Sequence, residues 1–188
     1  DPLALLLARL GIAVVLMAVT LGVTRPEVLR IDRELAGRVA LVGGIAGLEI
    51  CCFFLSLAWI DSSMSAMLKS VQPLVVLVLL AFGGERLTGR HLVRLAVAAL
   101  GIYLLVGPSG QLSSLGLILT GLSILLYAIQ LVLLQWRLLG YDPRTVTFYL
   151  LLAMTLVVAI FWLAQGARWS DPGVNGWSAI LAMALLST

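Results

Sequence analysis

The stretch from Leu115 to Trp136 reads LGLILTGLSILLYAIQLVLLQW and holds 22 residues without a charged side chain. A bilayer core of about 30 Å needs about 20 helical residues to cross it, so this stretch is long enough to span a membrane. Polar and apolar residues do not alternate along it, as they would in a strand of a membrane barrel. The stretch therefore predicts a transmembrane α-helix.

Six further apolar blocks accompany this one, separated by short polar stretches. They are Leu3–Val23, Ala36–Ile60, Ser62–Phe82, Leu92–Val106, Val146–Ala164 and Trp177–Thr188. Hydrophobic residues form 62% of the chain and charged residues 11%, whereas a soluble domain has about 45–50% apolar and about 25% charged residues. The sequence predicts an all-α polytopic membrane protein with the lipid bilayer as its solvent, and it excludes a soluble fold.

The basic residues are distributed unevenly between the loops. Nine of the 12 Lys and Arg residues fall in alternate loops, after the first, third and fifth blocks: Arg25, Arg30, Arg33, Arg38, Arg86, Arg90, Arg94, Arg137 and Arg144. The opposite loops carry Arg168 alone. Cytoplasmic loops hold the excess of Lys and Arg, so we predict that the alternate loops are cytoplasmic. Because the cations form no single patch, we expect no nucleic-acid partner.

A faint internal repeat runs through the chain. Asp1-Pro2 precedes the first block and Asp142-Pro143 precedes the sixth, an offset of 141 residues. A unit of five helices crosses the membrane an odd number of times, so two copies would be inverted, as in many secondary transporters. We predict a first repeat over residues 1–110 and a second over residues 111–188.

The third block carries a cation inside an apolar helix. Ser62, Ser65, Lys69 and Gln72 recur at helical spacing and share one face, and Pro73 follows them. Lys69 lies roughly 12 Å inside the predicted outer end, a depth at which charges are costly and mark function. A substrate cavity beside a kink at Pro73 explains this polar stripe. The alternative is a lysine that snorkels to the interface, with serines bonded to their own backbone.

Glu49 is the deep carboxylate of the second block. It and Lys69 differ in depth by roughly 6 Å, counted from the hairpin turn near Asp61. A Glu49–Lys69 pair would lower the cost of both charges. The alternative is a neutral Glu49 that hydrogen-bonds to a neighbouring helix. A carboxyl group within a span also permits proton coupling.

The fifth block repeats the spacing of the third. Thr120, Ser123, Tyr127 and Gln130 share one helix face, which serves either substrate contact or hydrogen bonding between helices. The predicted substrate-binding residues of the whole chain are Glu49, Ser65, Lys69, Gln72, Tyr127 and Gln130.

The chain shows no pattern of reactive side chains. Its two cysteines, Cys51 and Cys52, are adjacent within a span, and His91 is the one histidine. We therefore predict no metal site, no cofactor, no catalytic residues and no enzymatic activity.

Three motifs follow one another in the third block and the turn after it. They are the Ser/Ala-rich start Ser62-Ser63-Met64-Ser65-Ala66, the proline Pro73, and the turn Gly84-Glu85-Arg86-Leu87-Thr88. This series resembles the EamA branch of the drug/metabolite transporter superfamily. Asp1-Pro2 with Arg9 is similar to that family's second helix, and Asp142-Pro143 to its seventh. The resemblance implies ten helices in two inverted five-helix repeats around a central cavity. By that template we expect a fragment that lacks the first helix and the last two to three.

The resemblance implies a function and leaves alternatives open. It implies a secondary transporter that moves small polar metabolites or drugs by alternating access, in a bacterial inner membrane. Lys69-Ser70 ahead of Pro73 is similar to the sugar-phosphate and nucleotide-sugar translocators. In that branch a lysine meets the phosphate of the substrate, which makes a carrier of phosphorylated or anionic solutes the first alternative. A membrane assembly protein that transports nothing is the second.

The charge asymmetry yields a topology prediction. In a full-length protein without Cys51 and Cys52, Arg33→Cys should be shielded from an impermeant thiol reagent added outside, and Ser109→Cys should react. Labelling of intact cells measures both. Reaction of Arg33→Cys from outside would show the opposite orientation.

Overall fold

The computed structural model of the chain describes residues 2–29, 31–83, 89, 93, 96–97, 100–101 and 113–166. Six α-helices and one 3-10 turn are bounded within the continuous ranges. The helices are α1 (Pro2–Thr24), α2 (Arg33–Ser56), α3 (Ser62–Lys69), α4 (Gln72–Phe82), α5 (Ser114–Leu138) and α6 (Pro143–Ala164), and the 3-10 turn is Pro26–Leu29. None of the described residues forms a strand. The predicted all-α fold class is confirmed.

Five segments of the described chain are long and apolar enough to cross a membrane. They are Leu3–Thr24, Arg33–Ser56, Ser62–Phe82, Ser114–Leu138 and Pro143–Ala164, which correspond to the first, second, third, fifth and sixth predicted spans. The chain is therefore an integral, multi-pass membrane protein. The other two predicted spans, Leu92–Val106 (of which only isolated positions are described) and Trp177–Thr188, lie outside the described ranges. The division into repeats at residues 1–110 and 111–188 stays a prediction.

The bounds of two predicted spans differ from those of the structure by three or four residues. The second span begins at Arg33 instead of Ala36 and ends at Ser56 instead of Ile60, and the sixth begins at Pro143 instead of Val146. Hydropathy marks the apolar part of a helix, whereas the first turn tolerates charged and capping residues. At α6 the Asp142 carboxylate accepts a hydrogen bond of 2.9 Å from the Arg144 N–H, ahead of Pro143 in the first turn.

Large apolar side chains cover the outward face of α1. Val15, Val19 and Val23 follow one another at four-residue spacing and are 61%, 60% and 81% exposed. Residues at this spacing share one helix face, so the exposed valines form a continuous apolar stripe. An apolar stripe of this kind is suited to contact with lipid tails and not with water.

The chain divides into two compact units. The first comprises residues 1–51 and 137–188, and the second comprises residues 52–136. In the first unit α1 packs along α6.

Two glycines bring α2 and α6 close together within the first unit. A Cβ atom on Gly43 would lie 2.6 Å from the Cβ of Ala153 and 2.9 Å from the carbonyl oxygen of Leu150. A Cβ on Gly47 would lie 2.5 Å from the Cβ of Val157. The two helices approach at a distance that only glycine allows on α2, as at other small-residue contacts between membrane helices.

Polar residues gather at one end of this unit. The Arg38 guanidinium donates a hydrogen bond of 3.3 Å to the Arg137 carbonyl and forms an ion pair with Glu34. A cavity of about 470 Å³ lies at the end of α1 and the start of α6, lined by Thr24, Arg25, Pro26, Glu27, Asp142 and Thr145. The loops that follow α1 and precede α6 therefore lie together, as their predicted placement on one side of the membrane requires.

The glycine contact yields a stability prediction. Gly43→Ala should lower the free energy of unfolding by about 1–3 kcal/mol, because the methyl group overpacks the contact with α6. Gly44→Ala is the matched control, since a Cβ there meets nothing within 4 Å. Melting temperatures in detergent measure both variants. Adding Ala153→Gly should restore part of the loss, and equal melting temperatures for Gly43→Ala and Gly44→Ala would contradict the close approach.

Candidate functional site

The third span is interrupted between Lys69 and Gln72. The N–H groups of Ser70 and Val71 donate to the carbonyls of Met67 and Leu68, at 3.1 and 3.2 Å. These bonds reach back three residues instead of four, which tightens the chain into a 3-10 turn. Pro73 has no N–H for the Lys69 carbonyl, and its ring crowds that carbonyl. The predicted disturbance by Pro73 thus takes the form of a break two to three residues before the proline.

The predicted polar face of this span is directed into protein from Ser65 onwards, whereas Ser62 is exposed. Ser65 is fully buried, and Lys69 and Gln72 are partly buried. The Ser65 hydroxyl oxygen and the Gln72 amide nitrogen are buried and have no hydrogen-bond partner among the described residues. A buried polar group without a partner costs about 1–3 kcal/mol. Such groups indicate a place where a ligand or water completes the hydrogen bonding.

The Lys69 ammonium lies over an aromatic ring. Its Nζ atom is 3.8 Å from the centre of the Phe53 ring, which α2 contributes to the second unit. A cation at this distance is attracted to the negative face of the ring, by about 2 kcal/mol or more where water is excluded. The ammonium therefore contacts an aromatic side chain of the neighbouring helix α2. Phe53 is absent from the predicted set, although it and Lys69 each lie eight residues from Asp61 at the hairpin turn.

Three of the six predicted site residues line one cavity in the second unit. The cavity has a volume of about 490 Å³, and its described walls are Lys69, Ser70, Gln72, Pro73, Val76, Leu77, Tyr127 and Leu131. It opens at the helix break and combines residues of α3, α4 and α5. Its size falls within the range of small-molecule sites, roughly 300–1,000 Å³.

The other three predicted residues do not line this cavity. Ser65 lies one turn from Lys69 on the same face, and Gln130 lies one turn from Tyr127 on α5. Glu49 is buried, with 7% of its surface exposed, and belongs to the first unit. Its pairing with Lys69 stays a prediction.

The first two residues of the predicted polar face of α5, Thr120 and Ser123, take part in helix packing. Thr120 and Ser123 are fully buried. The Thr120 hydroxyl donates a hydrogen bond of 2.9 Å to the Gly116 carbonyl of its own helix. A Cβ on Gly116 would lie 2.5 Å from the Ile60 side chain, so this turn of α5 packs tightly on the α2–α3 connection. Thr120 therefore fits the structural alternative, whereas Tyr127 reaches the cavity.

Neither the polar cavity of the first unit nor the cysteines form a comparable site. Arg25 and Glu27 in that cavity are exposed at the helix ends, where charges cost little. Cys51 is buried and Cys52 is partly buried, and the described residues contain no group of His, Cys, Asp and Glu side chains that could hold a metal ion. Lys69, a cation within a span, is the stronger functional candidate.

The fold is that of a helical membrane protein, and one cavity of its second unit brings Lys69, Gln72 and Tyr127 together. A family model, the EamA-like transporter family, matches residues 1–107, which is more than half of the chain. The chain belongs to the EamA-like transporter family, within the drug/metabolite transporter superfamily, as its motifs predicted. Members of this family are membrane transporters and not enzymes. Neither a curated protein nor a solved structure matches the chain.

The Lys69–Phe53 contact yields a prediction about ring electrons. Replacing Phe53 by phenylalanine with one, two and three ring fluorines should lower the melting temperature stepwise. The free energy of unfolding should fall by up to about 2 kcal/mol in total. Fluorine withdraws electrons from the ring face and barely changes its shape. The same series at Phe54, whose ring meets Phe53 edge to face at 5.9 Å, is the control. Equal effects at both positions would show that Phe53 contributes packing alone.

Proposed function

We propose that this chain forms part of a secondary transporter that moves small polar metabolites or drugs by alternating access, with Lys69 in contact with the substrate. One observation carries the proposal. The Lys69 ammonium lies within a span, over the Phe53 ring, in the wall of a cavity that also contains Gln72 and Tyr127. A cation, an amide and a phenol in one cavity wall are groups that orient a small solute.

The broken third span supports this function. Interrupted helices build the substrate sites of many secondary transporters. Irregular backbone at membrane depth is tolerated where it lies inside protein or lines a cavity. The break at Ser70 and Val71 meets that condition, because both neighbours of the break, Lys69 and Gln72, line the cavity.

The free-energy cost of placing Lys69 within a span argues against a passive assembly protein. A lysine at the centre of a span costs about 2.5–3.5 kcal/mol on the insertion scale. A structural bundle gains nothing from this cost, since an apolar residue would fill the same space. Substrate recognition gives the charge a use that offsets it.

We further propose Glu49 as a site of proton coupling. Its carboxyl group is buried in α2, and carboxyl groups inside spans serve as proton relays in pumps and transporters. Glu49→Gln should therefore abolish uphill transport driven by a proton gradient and retain exchange of labelled substrate between equal pools. Both are measured in proteoliposomes. Uphill transport at the wild-type rate would remove Glu49 from the coupling mechanism.

The transport function yields a binding prediction. A panel of metabolites and drugs should contain solutes that raise the melting temperature of the full-length protein, since a ligand that binds the folded state stabilises it. Lys69→Gln should lose this shift and also lose uptake into proteoliposomes. The variant itself should remain folded, because glutamine removes the charge and keeps most of the volume.

Arg9→Gln provides the control for loss of a cation within a span. Arg9 lies in α1, outside the cavity wall, so this variant should keep the ligand-induced shift. Wild-type uptake by Lys69→Gln would contradict the proposed role of Lys69. A panel without any stabilising solute would favour an assembly protein.

A further inference from the structure

The cavity of the first unit, where α1 ends and α6 begins, contains charges of both signs. Its described walls include the side chains of Arg25, Glu27 and Asp142. Neither the Arg25 guanidinium nor the Glu27 carboxylate forms an ion pair with a described residue. Two opposite charges therefore line one space of about 470 Å³ without pairing with each other.

Two other polar groups of this wall are engaged within the helices. The Thr24 hydroxyl donates a hydrogen bond of 2.6 Å to the Thr20 carbonyl of α1. One oxygen of the Asp142 carboxylate accepts the 2.9 Å hydrogen bond from the Arg144 N–H that caps α6. A carboxylate has two oxygens and about four acceptor sites, so Asp142 keeps acceptor capacity on its second oxygen. The cavity thus offers one guanidinium donor and two carboxylate acceptors.

The cavity lies at the end of an apolar surface that suits lipid tails. The exposed stripe of Val15, Val19 and Val23 runs along α1 to its last turn, and Val23 directly precedes Thr24 of the cavity wall. The cavity is therefore at the depth where the hydrocarbon core gives way to the polar headgroups. A molecule held there by its charges has an apolar surface beside it for its acyl chains.

We infer that this cavity binds the headgroup of a phospholipid with a primary ammonium, the chemistry of phosphatidylethanolamine. The Arg25 guanidinium pairs with the phosphate, which matches the planar fork of its donors. The ammonium donates hydrogen bonds to the Glu27 and Asp142 carboxylates, and an acyl chain lies along the valine stripe of α1. This inference does not depend on the proposed transport function.

The charges of the wall separate this lipid from other classes. An anionic lipid such as phosphatidylglycerol pairs with Arg25 but brings no cation for the two carboxylates, which repel it. Phosphatidylcholine brings both charges, but three methyl groups replace the N–H donors that an ammonium offers to carboxylates. A cation without a phosphate leaves Arg25 without a counter-charge.

A lipid series that removes the donors one at a time tests the inference. Phosphatidylethanolamine, its N-methyl and N,N-dimethyl derivatives, phosphatidylcholine and phosphatidylglycerol, all with oleoyl chains, are added separately to the full-length protein in detergent. Native mass spectrometry gives the Kd of the first bound lipid. This Kd should rise along the methyl series to at least about tenfold at phosphatidylcholine, because charge-assisted hydrogen bonds are lost. Phosphatidylglycerol should also bind more weakly than phosphatidylethanolamine.

Three variants assign the preference to the side chains of the wall. Glu27→Gln and Asp142→Asn should each reduce the preference for phosphatidylethanolamine over phosphatidylcholine. Asparagine also caps helices, so Asp142→Asn removes the charge and keeps the start of α6. Arg25→Gln should weaken the binding of both lipids and leave their ratio nearly unchanged. Glu34→Gln is the matched control with the wild-type preference, since Glu34 is an exposed carboxylate of the same unit outside this wall.

A soluble zwitterion offers the same headgroup chemistry as the lipid. Glycerophosphoethanolamine, which lacks acyl chains, should bind at least about a hundredfold more weakly than the lipid, because the apolar contact is lost. Binding of comparable strength would show a soluble ligand and overturn the lipid. Equal Kd values along the methyl series would overturn the headgroup assignment. An unchanged lipid preference in both Glu27→Gln and Asp142→Asn would overturn it as well, and each of these results leaves the role of Lys69 in uptake untouched.

Discussion

The contact between the Lys69 ammonium and the Phe53 ring joins the two helices on which the site depends. Its distance of 3.8 Å brings a cation of the third span against an aromatic side chain of the second. An ammonium group inside a span needs a partner that replaces part of its hydration. The face of an aromatic ring supplies such an attraction without consuming the donor hydrogens of the ammonium. The Phe53 ring therefore helps to hold the Lys69 charge within the protein.

The other features of the site depend on the break in the third span. The 3-10 turn at Ser70 and Val71 separates α3 from α4 and places Lys69 and Gln72 on either side of one break. Both side chains line the same cavity. An uninterrupted helix with proline at position 73 would clash with the Lys69 carbonyl. Pro73, which interrupts the helix, therefore also shapes the cavity.

The sequence predicted the spans and the cation of the site because both follow from composition along one helix. Apolar blocks of membrane length and a polar stripe at helical spacing need no knowledge of neighbours. The contact of Lys69 with Phe53 was beyond such reasoning, because a phenylalanine in an apolar span resembles every other apolar residue. The charge of Glu49 led to the prediction of a Glu49–Lys69 pair, which stays a prediction, whereas nothing in the sequence marks Phe53 as a contact of Lys69. Likewise the sequence does not identify α6 as the helix that packs against Gly43 of α2, whereas the structure does.

Lys69 is the single lysine of the 188-residue sequence, which permits a direct test of its place in the substrate site. Reductive methylation with ¹³C-formaldehyde labels lysine and keeps its charge. In the full-length protein the Lys69 signal is identified by its loss in Lys69→Arg. We predict that this methyl resonance lies upfield, because the group sits over the Phe53 ring, and that it shifts as a stabilising solute is added. A resonance at the position of a free lysine, unchanged at saturating solute, would contradict a substrate-contacting Lys69.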